Sequence, residues 1–244
     1  MIYILAPSYN DAQNLPILTR NIANKLKNKK FKIIIVNDGS TDDIKNVIQK
    51  LKTYHDIVLI GYSSNQGPGF AFKFGFNYLI KIIKPEDIIV TIEADNSCDI
   101  SILNKMIDSV NETYDLILSS PYAKGGKFKG LSIDRKILSN ISNILDSFIF
   151  RVKKVKTYSS FYRIYRGSLL IKADKKYKSS LITEKGFAGV VELLLKLSTC
   201  GAKIYEIPAT LNWEKRKGKS KMKIFRTVLN HLILYRNYFQ GKYK

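Results

Sequence analysis

The chain has 244 residues, room for one large α/β domain or for a domain carrying a C-terminal extension. Apolar residues make up 45% of it, enough for a sizeable core, which excludes intrinsic disorder. A net charge of +21, from 41 Lys or Arg against 20 Asp or Glu, favours an anionic partner: nucleic acid, an anionic membrane or a phosphate-bearing substrate. The opening run, Met1-Ile2-Tyr3-Ile4-Leu5-Ala6, has no basic start and stops at Pro7; it reads as a first strand and not as a secretion signal. Further strands are predicted at 31–36, 57–62, 87–92 and 115–119, with the first over 2–6. Between them, Leu15, Leu18, Ile22 and Leu26, and then Ile44, Val47, Ile48 and Leu51, recur at helical spacing. The apolar, aromatic segment 70–84 follows Gly67-Pro68-Gly69, and Ile102, Met106 and Val110 mark a fourth helix. This alternation, with strands rich in Ile and Val, argues for an α/β fold: a mostly parallel, Rossmann-like sheet with helices on both faces.

The rhythm changes after residue 119. A basic, glycine-containing loop, PYAKGGKFKG (121–130), precedes an amphipathic helix over 132–150 with Ile137, Leu138, Ile141, Ile144, Leu145 and Phe148 on one stripe. A strand pair is predicted around 158–173, then a helix near 187–200, a strand at 203–207, the basic loop EKRKGKSKMK (214–223) and a closing helix over 222–239. We divide the chain into one domain over 1–210 and a basic loop with an amphipathic C-terminal helix over 211–244, packed on that domain. Residues 203–244 hold 11 Lys or Arg against 2 Glu, so the basic excess concentrates there. No run approaches the ~18 apolar residues of a membrane span. Cys98 and Cys200 stand alone, as small core residues in a reducing compartment would, and His55 and His231 are too few and too far apart for a zinc site.

Ligands of an open parallel sheet bind beyond the carboxyl ends of its strands, and the polar residues of this sequence gather there. The first strand exits into PSYND (7–11), the second into NDGSTD (37–42), the fourth into Glu93-Ala94-Asp95 and the fifth into SSPY (119–122). Acids collected on one rim need a cation or hydrogen-bond donors. In a strand, Glu93 and Asp95 point to the same side, so a hard divalent cation such as Mg²⁺ or Mn²⁺ would satisfy both, with phosphate and water completing its shell. The plainer reading is that these acids cap the helix near Ser101 or face solvent. Asp38 is placed to accept from a ribose hydroxyl or a base edge, and Tyr9 to pack on the base. Alternatively Tyr9 is a core-edge aromatic and NDGSTD a turn in which Ser40 or Thr41 caps a helix.

APSYND, VNDGSTD, EAD and SSPYAKGG, in that order and spacing, resemble the family 2 glycosyltransferases of the GT-A fold. The likeness is strongest to the polyprenyl-phosphate sugar transferases typified by dolichol-phosphate mannose synthase. DRKILS (134–139), GFAGVVELLLKL (186–197) and RKGKSK (216–221) extend it over nearly the whole chain. The resemblance implies inverting transfer of a hexose from a nucleoside-diphosphate sugar, GDP-mannose or UDP-glucose, to a polyprenyl phosphate. It implies that Pro7, Tyr9, Asp11, Val36 and Asp38 hold the nucleoside. Glu93, Ala94 and Asp95 would hold the diphosphate and its Mg²⁺ or Mn²⁺, with Ser97 as a third metal ligand. Arg135 and Ser139 would meet the acceptor phosphate, and Lys217, Ser220 and Lys221 would close over the phosphates. Glu93, Asp95 and Arg135 are the expected catalytic residues. Three positions depart from the pattern: Glu93 stands where the family usually has Asp, Ser97 replaces an amide, and Pro121 replaces an Arg of some relatives. An inactive homologue therefore stays open.

An acceptor phosphate is already ionised near pH 7, so no strong general base is needed; Glu184 and Glu192 are the candidates if the acceptor is a hydroxyl. The stretches 132–151 and 222–239 carry basic and apolar faces suited to an anionic membrane surface, which places the protein in the cytoplasm, peripheral on the cytoplasmic face of a membrane. A separate membrane subunit would serve the same end. The alternatives are a transferase of the same fold acting on a sugar or protein hydroxyl, and a nucleic-acid-binding protein using the +21 charge. Rim acids would repel a nucleic acid's phosphates, and we expect no nucleic-acid partner. A dinucleotide-dependent dehydrogenase fails for want of a G-x-G-x-x-G after the first strand.

Overall fold

The computed structural model describes residues 1–218 and 224–243. The chain alternates β1 (Ile2–Ser8), α1 (Leu15–Lys25), β2 (Phe31–Asp38), α2 (Ile44–Leu51), β3 (Ile57–Tyr62), α3 (Pro68–Leu79), β4 (Ile88–Thr91), α4 (Leu103–Asp108) and β5 (Leu116–Ser120). It continues with β6 (Lys127–Lys129), α5 (Ile133–Phe150), β7 (Arg163–Arg166), α6 (Gly167–Tyr177), α7 (Ala188–Thr199), β8 (Ile204–Pro208), β9 (Thr210–Asn212) and α8 (Ile224–Phe239).

Seven strands form one sheet in the order β3-β2-β1-β4-β7-β5-β8, and β6 pairs with β9 in a small second sheet. In the main sheet β7 alone runs antiparallel to its neighbours, β4 and β5; the remaining pairs are parallel. The carboxyl ends of β1, β2, β4 and β5 consequently open on one edge. Side-chain alternation builds a core on each face. Ile2, Ile4 and Ala6 of β1 join Ile33 and Ile35 of β2 beneath α1, α2 and α4. Leu5, Ile34 and Val36 point the other way, into the core under α3, α6 and α7.

The expected strand pair at 158–173 is one short strand followed directly by a helix. After the buried Gly167, Leu169, Leu170 and Ala173 are the buried residues of that second segment, a helical spacing in which Leu169-Leu170-Ile171 only mimics a strand's apolar run. The junction needs Gly167: a Cβ there would stand 2.1 Å from the Lys84 carbonyl oxygen, and its N–H donates to the Asp87 carbonyl at 2.7 Å.

Helix α5 is turned inside out relative to a soluble helix. Its buried residues are Asn143, Asp146 and Phe150, whereas Ile133, Ile137, Ile141, Ile144 and Phe148 are 50–78% exposed. Helix α8 behaves alike: Phe225, Leu232 and Phe239 lie outward. The two helices meet where the Tyr235 hydroxyl donates to Asp146 Oδ1 at 2.9 Å and where Phe150 packs on Tyr235 and Tyr238. Burial raises the Asp146 carboxyl to about 6, although His231 and the Tyr235 hydrogen bond pull it down. Among the described residues no helix is long and apolar enough to cross a membrane.

Candidate active site

The loops after β1 and β2 are laced together. Asn10, at φ 52°, accepts from the Thr41 N–H through Oδ1 at 2.7 Å, and its own N–H donates to Ser40 Oγ at 3.0 Å. Asp42 Oδ2 accepts from the Ala12 N–H at 2.8 Å. The acid of NDGSTD therefore caps the turn that follows β1, thirty residues upstream, instead of its own helix.

Asp38 is buried and surrounded by donors. Its Oδ1 accepts from the Tyr62 hydroxyl at 2.7 Å and the Gln66 N–H at 2.8 Å. Its Oδ2 accepts from Asn65 Nδ2 at 2.9 Å and the Gly67 N–H at 3.1 Å. The side chain expected at the nucleoside is here spent on holding loop 64–67, the approach to α3. Gly39 makes that proximity feasible: its φ is +66°, and a Cβ would lie 2.3 Å from the Ser64 carbonyl carbon. Val36 is fully buried in the core, so its side chain meets no nucleoside. Pro7 and Tyr9 are partly exposed at the rim, and Asp11 is buried beside them.

Strand β4 stops at Thr91, so Glu93-Ala94-Asp95 lies in the turn beyond it and not in extended chain. Asn96 then takes φ 65°. The two carboxylates nonetheless feel each other. Burial first, then the Asp95 charge, pushes the Glu93 carboxyl up to about 8, Asp11 adds to the rise and Arg216 opposes it; Glu93 keeps a solvent-facing edge, which softens the effect. Ala94 packs into the core. Asp95 Oδ1 accepts from the Ser97 hydroxyl at 2.6 Å and the Ser97 N–H at 3.0 Å. Ser97 thereby orients Asp95, and its hydroxyl is engaged in doing so. Asp95 Oδ2 stands 3.2 Å from Arg216 Nη1.

Asn14, absent from the sequence-based site, joins three segments. Its Nδ2 donates to the Lys217 carbonyl at 3.1 Å, its Oδ1 accepts from the Lys217 N–H at 3.2 Å, and its carbonyl accepts from Asn96 Nδ2 at 3.0 Å. Lys217 is thus held by its backbone near the acids. Ser220 and Lys221 lie outside the described residues. At the exit of β5, Ser120 bonds Thr157 through their hydroxyls, and the Tyr122 hydroxyl lies 2.8 Å from Ser139 Oγ on α5. Arg135 is one turn before Ser139 on that helix, partly exposed. Glu192 is fully buried and accepts from the Thr183 N–H and hydroxyl, the Glu184 N–H and the Lys196 ammonium. It fastens the chain around 183 and is closed to substrate, whereas Glu184 is half-buried, its carboxyl raised by desolvation and by Glu192.

Among the described residues, no three His, Cys, Asp or Glu side chains converge closely enough to hold a metal ion. The donor set still fits a hard cation. Asp95 and Glu93 are neighbouring oxygen donors, Glu93 raised by burial first and by the Asp95 charge second, and a positive group, Arg216, already sits against Asp95. Two protein carboxylates suffice where phosphate and water supply the other ligands.

Known proteins carry the same architecture. Glucosyl-3-phosphoglycerate synthase from Mycobacterium tuberculosis, solved with Mn²⁺, uridine diphosphate and phosphoglyceric acid, superposes with a TM-score of 0.67 at 14% identity, over 98% of this chain and 78% of that one. The polyprenol monophosphomannose synthase of Mycolicibacterium smegmatis is 26% identical over 221 residues, covering 90% of this chain and 80% of the relative. The dolichol-phosphate mannosyltransferase of Pyrococcus furiosus is 24% identical over 232 residues, 95% of this chain but 61% of that longer protein. The profile of glycosyl transferase family 2 matches residues 3–173. Those residues include all of β1 through β7 but Ile2, and every acid of the rim described above, and so the chain belongs to glycosyl transferase family 2.

Proposed function

We propose that the protein transfers a hexose, with inversion, from a nucleoside-diphosphate sugar to a polyprenyl phosphate at an anionic membrane surface. One observation carries this reading. Helix α5, whose apolar stripe faces outward, begins at the sheet rim and is bonded to it through Ser139 and Tyr122. A lipid lying along α5 would bring its phosphate to the place where the acids and Arg216 gather.

Rim residues Pro7, Tyr9 and Asp11 bind the nucleoside, with Asp38 shaping its pocket through loop 64–67. Asp95 and Glu93 hold Mg²⁺ or Mn²⁺, which would supply positive charge to the departing diphosphate. Lys217 and its neighbours on the 214–223 loop add further charge at the developing anion. Arg135 and Ser139 orient the acceptor phosphate, which attacks the anomeric carbon from the side opposite the leaving diphosphate. The attacking oxygen is ionised at neutral pH, so no protein group needs to remove a proton; the closed environment of Glu192 accords with that. The outward faces of α5 and α8, with Arg151, Lys153 and Lys154 beside them, dock on the cytoplasmic leaflet.

The test is a screen of nucleotide sugars with Mg²⁺ or Mn²⁺ and a short polyprenyl phosphate, reading released nucleoside diphosphate. Asp95→Asn should lower turnover at least about a hundredfold while the circular dichroism spectrum stays unchanged. Full activity in that variant would rule out metal-assisted departure.

A further inference from the structure

The segment that reaches the acids is a strap with two fixed points. At one end the Asn212 N–H donates to the Ser97 carbonyl at 2.8 Å. At the other, Asn14 holds both backbone groups of Lys217. Between them Trp213, Glu214 and Lys215 form a single 3₁₀ turn, and Arg216 points inward to Asp95 Oδ2 at 3.2 Å, the side chains being 12% and 7% exposed. The guanidinium also lies 5.9 Å from the centre of the Trp213 ring.

We propose that Arg216 is a built-in counter-cation for Asp95, occupying that carboxylate in the absence of a divalent ion and surrendering it when the ion and donor arrive. A guanidinium and a divalent cation cannot share one poorly hydrated carboxylate oxygen, because their mutual repulsion is weakly screened there. Binding of the ion therefore requires Arg216 to leave Asp95, and the ion pair it breaks helps hold the strap down beside the Asn212–Ser97 bond and the two Asn14–Lys217 bonds. The strap loosens for the donor, and Arg216 becomes a free positive charge at the mouth of the site, where the phosphoryl groups enter. Metal binding and strap movement are then one equilibrium: apparent metal affinity is reduced by the fraction of molecules in which Arg216 already occupies Asp95.

This inference rests on the assignment of Asp95 as a metal ligand, and its test separates the two. Trp213 is the sole tryptophan of the chain, so its fluorescence reports the strap without ambiguity. Mn²⁺ binding, followed by electron paramagnetic resonance without nucleotide, should be about tenfold tighter in Arg216→Met than in the native protein. Arg216→Lys, which keeps the charge but loses the planar fork, should fall between and decides the matter if Arg216→Met fails to fold. Saturating Mg²⁺ should change Trp213 emission in the native protein and leave it nearly unchanged in Arg216→Met. Affinities within twofold across the native protein and the variants, or an emission change that persists in Arg216→Met, would overturn the exchange. If the native protein binds no Mn²⁺ even with a nucleoside diphosphate, or if Asp95→Asn binds it as well as the native protein does, the assignment of Asp95 falls and the exchange falls with it.

Discussion

Asp38→Asn separates a side chain that shapes a pocket from one that touches a ligand. Four donors converge on the carboxylate: Tyr62, Asn65 and the N–H groups of Gln66 and Gly67. Asparagine has the same shape but one acceptor oxygen. With that oxygen facing Tyr62 and Gln66, its amide meets the Asn65 amide and the Gly67 N–H, donor against donor. Two charge-assisted hydrogen bonds are lost at roughly 1.5 kcal/mol each, the low end for such bonds because loop 64–67 is partly solvent-facing. The expected destabilisation is about 3 kcal/mol, or a fall in Tm of about 6–12 °C for a chain of this size. Urea unfolding followed by circular dichroism measures it, alongside calorimetric titration with nucleoside diphosphates. An unfolding midpoint unchanged within error, with nucleotide binding abolished, would refute the reasoning: the carboxylate would then serve the base and not the loop.

Arg135→Ala should raise the KM for polyprenyl phosphate about tenfold, the worth of one charged hydrogen bond, with the donor KM within twofold; the reverse pattern would move Arg135 to the donor. Asp146 carries a pH signature. Its folded carboxyl is raised to about 6, so the stability it contributes is present below its ordinary value near 4 and lost as pH rises through 6, by about 2–3 kcal/mol. Asp146→Asn keeps an acceptor for the Tyr235 hydroxyl and should flatten that slope between pH 4 and pH 6; an unaltered slope in thermal melts would dismiss Asp146 as its source. Ile144 and Phe148 are 66% and 69% exposed, and inserting each into a bilayer interface is worth roughly 1.5 kcal/mol or more. Ile144→Ser with Phe148→Ser should therefore weaken sedimentation with phosphatidylglycerol vesicles about a hundredfold, and undiminished binding would remove α5 from the docking face.

Sequence alone was sufficient wherever the physics is short-ranged. Continuous Ile- and Val-rich runs in β1 and β2, separated by the 3.6-residue spacing of α1 and α2, announced the parallel sheet, and strand ends announced a rim of acids, because a strand's direction fixes where its exit lies. The motifs also sufficed for the family. The segment 158–173 was misread because a helix whose buried side chains are Leu169, Leu170 and Ala173, after the buried Gly167, carries the same adjacent leucines as a strand. Tertiary structure decided matters between residues far apart in the chain. Arg216 is one of six basic residues in the loop EKRKGKSKMK, and nothing in their order tells that Arg216 turns inward to Asp95. Asn14 chooses by gripping the backbone 203 residues away. Asp38 and Asp42 look alike as rim acids until folding brings loop 64–67 to the first and Ala12 to the second. Residue type sets what a side chain offers; only the closing of distant loops on one another sets what it meets.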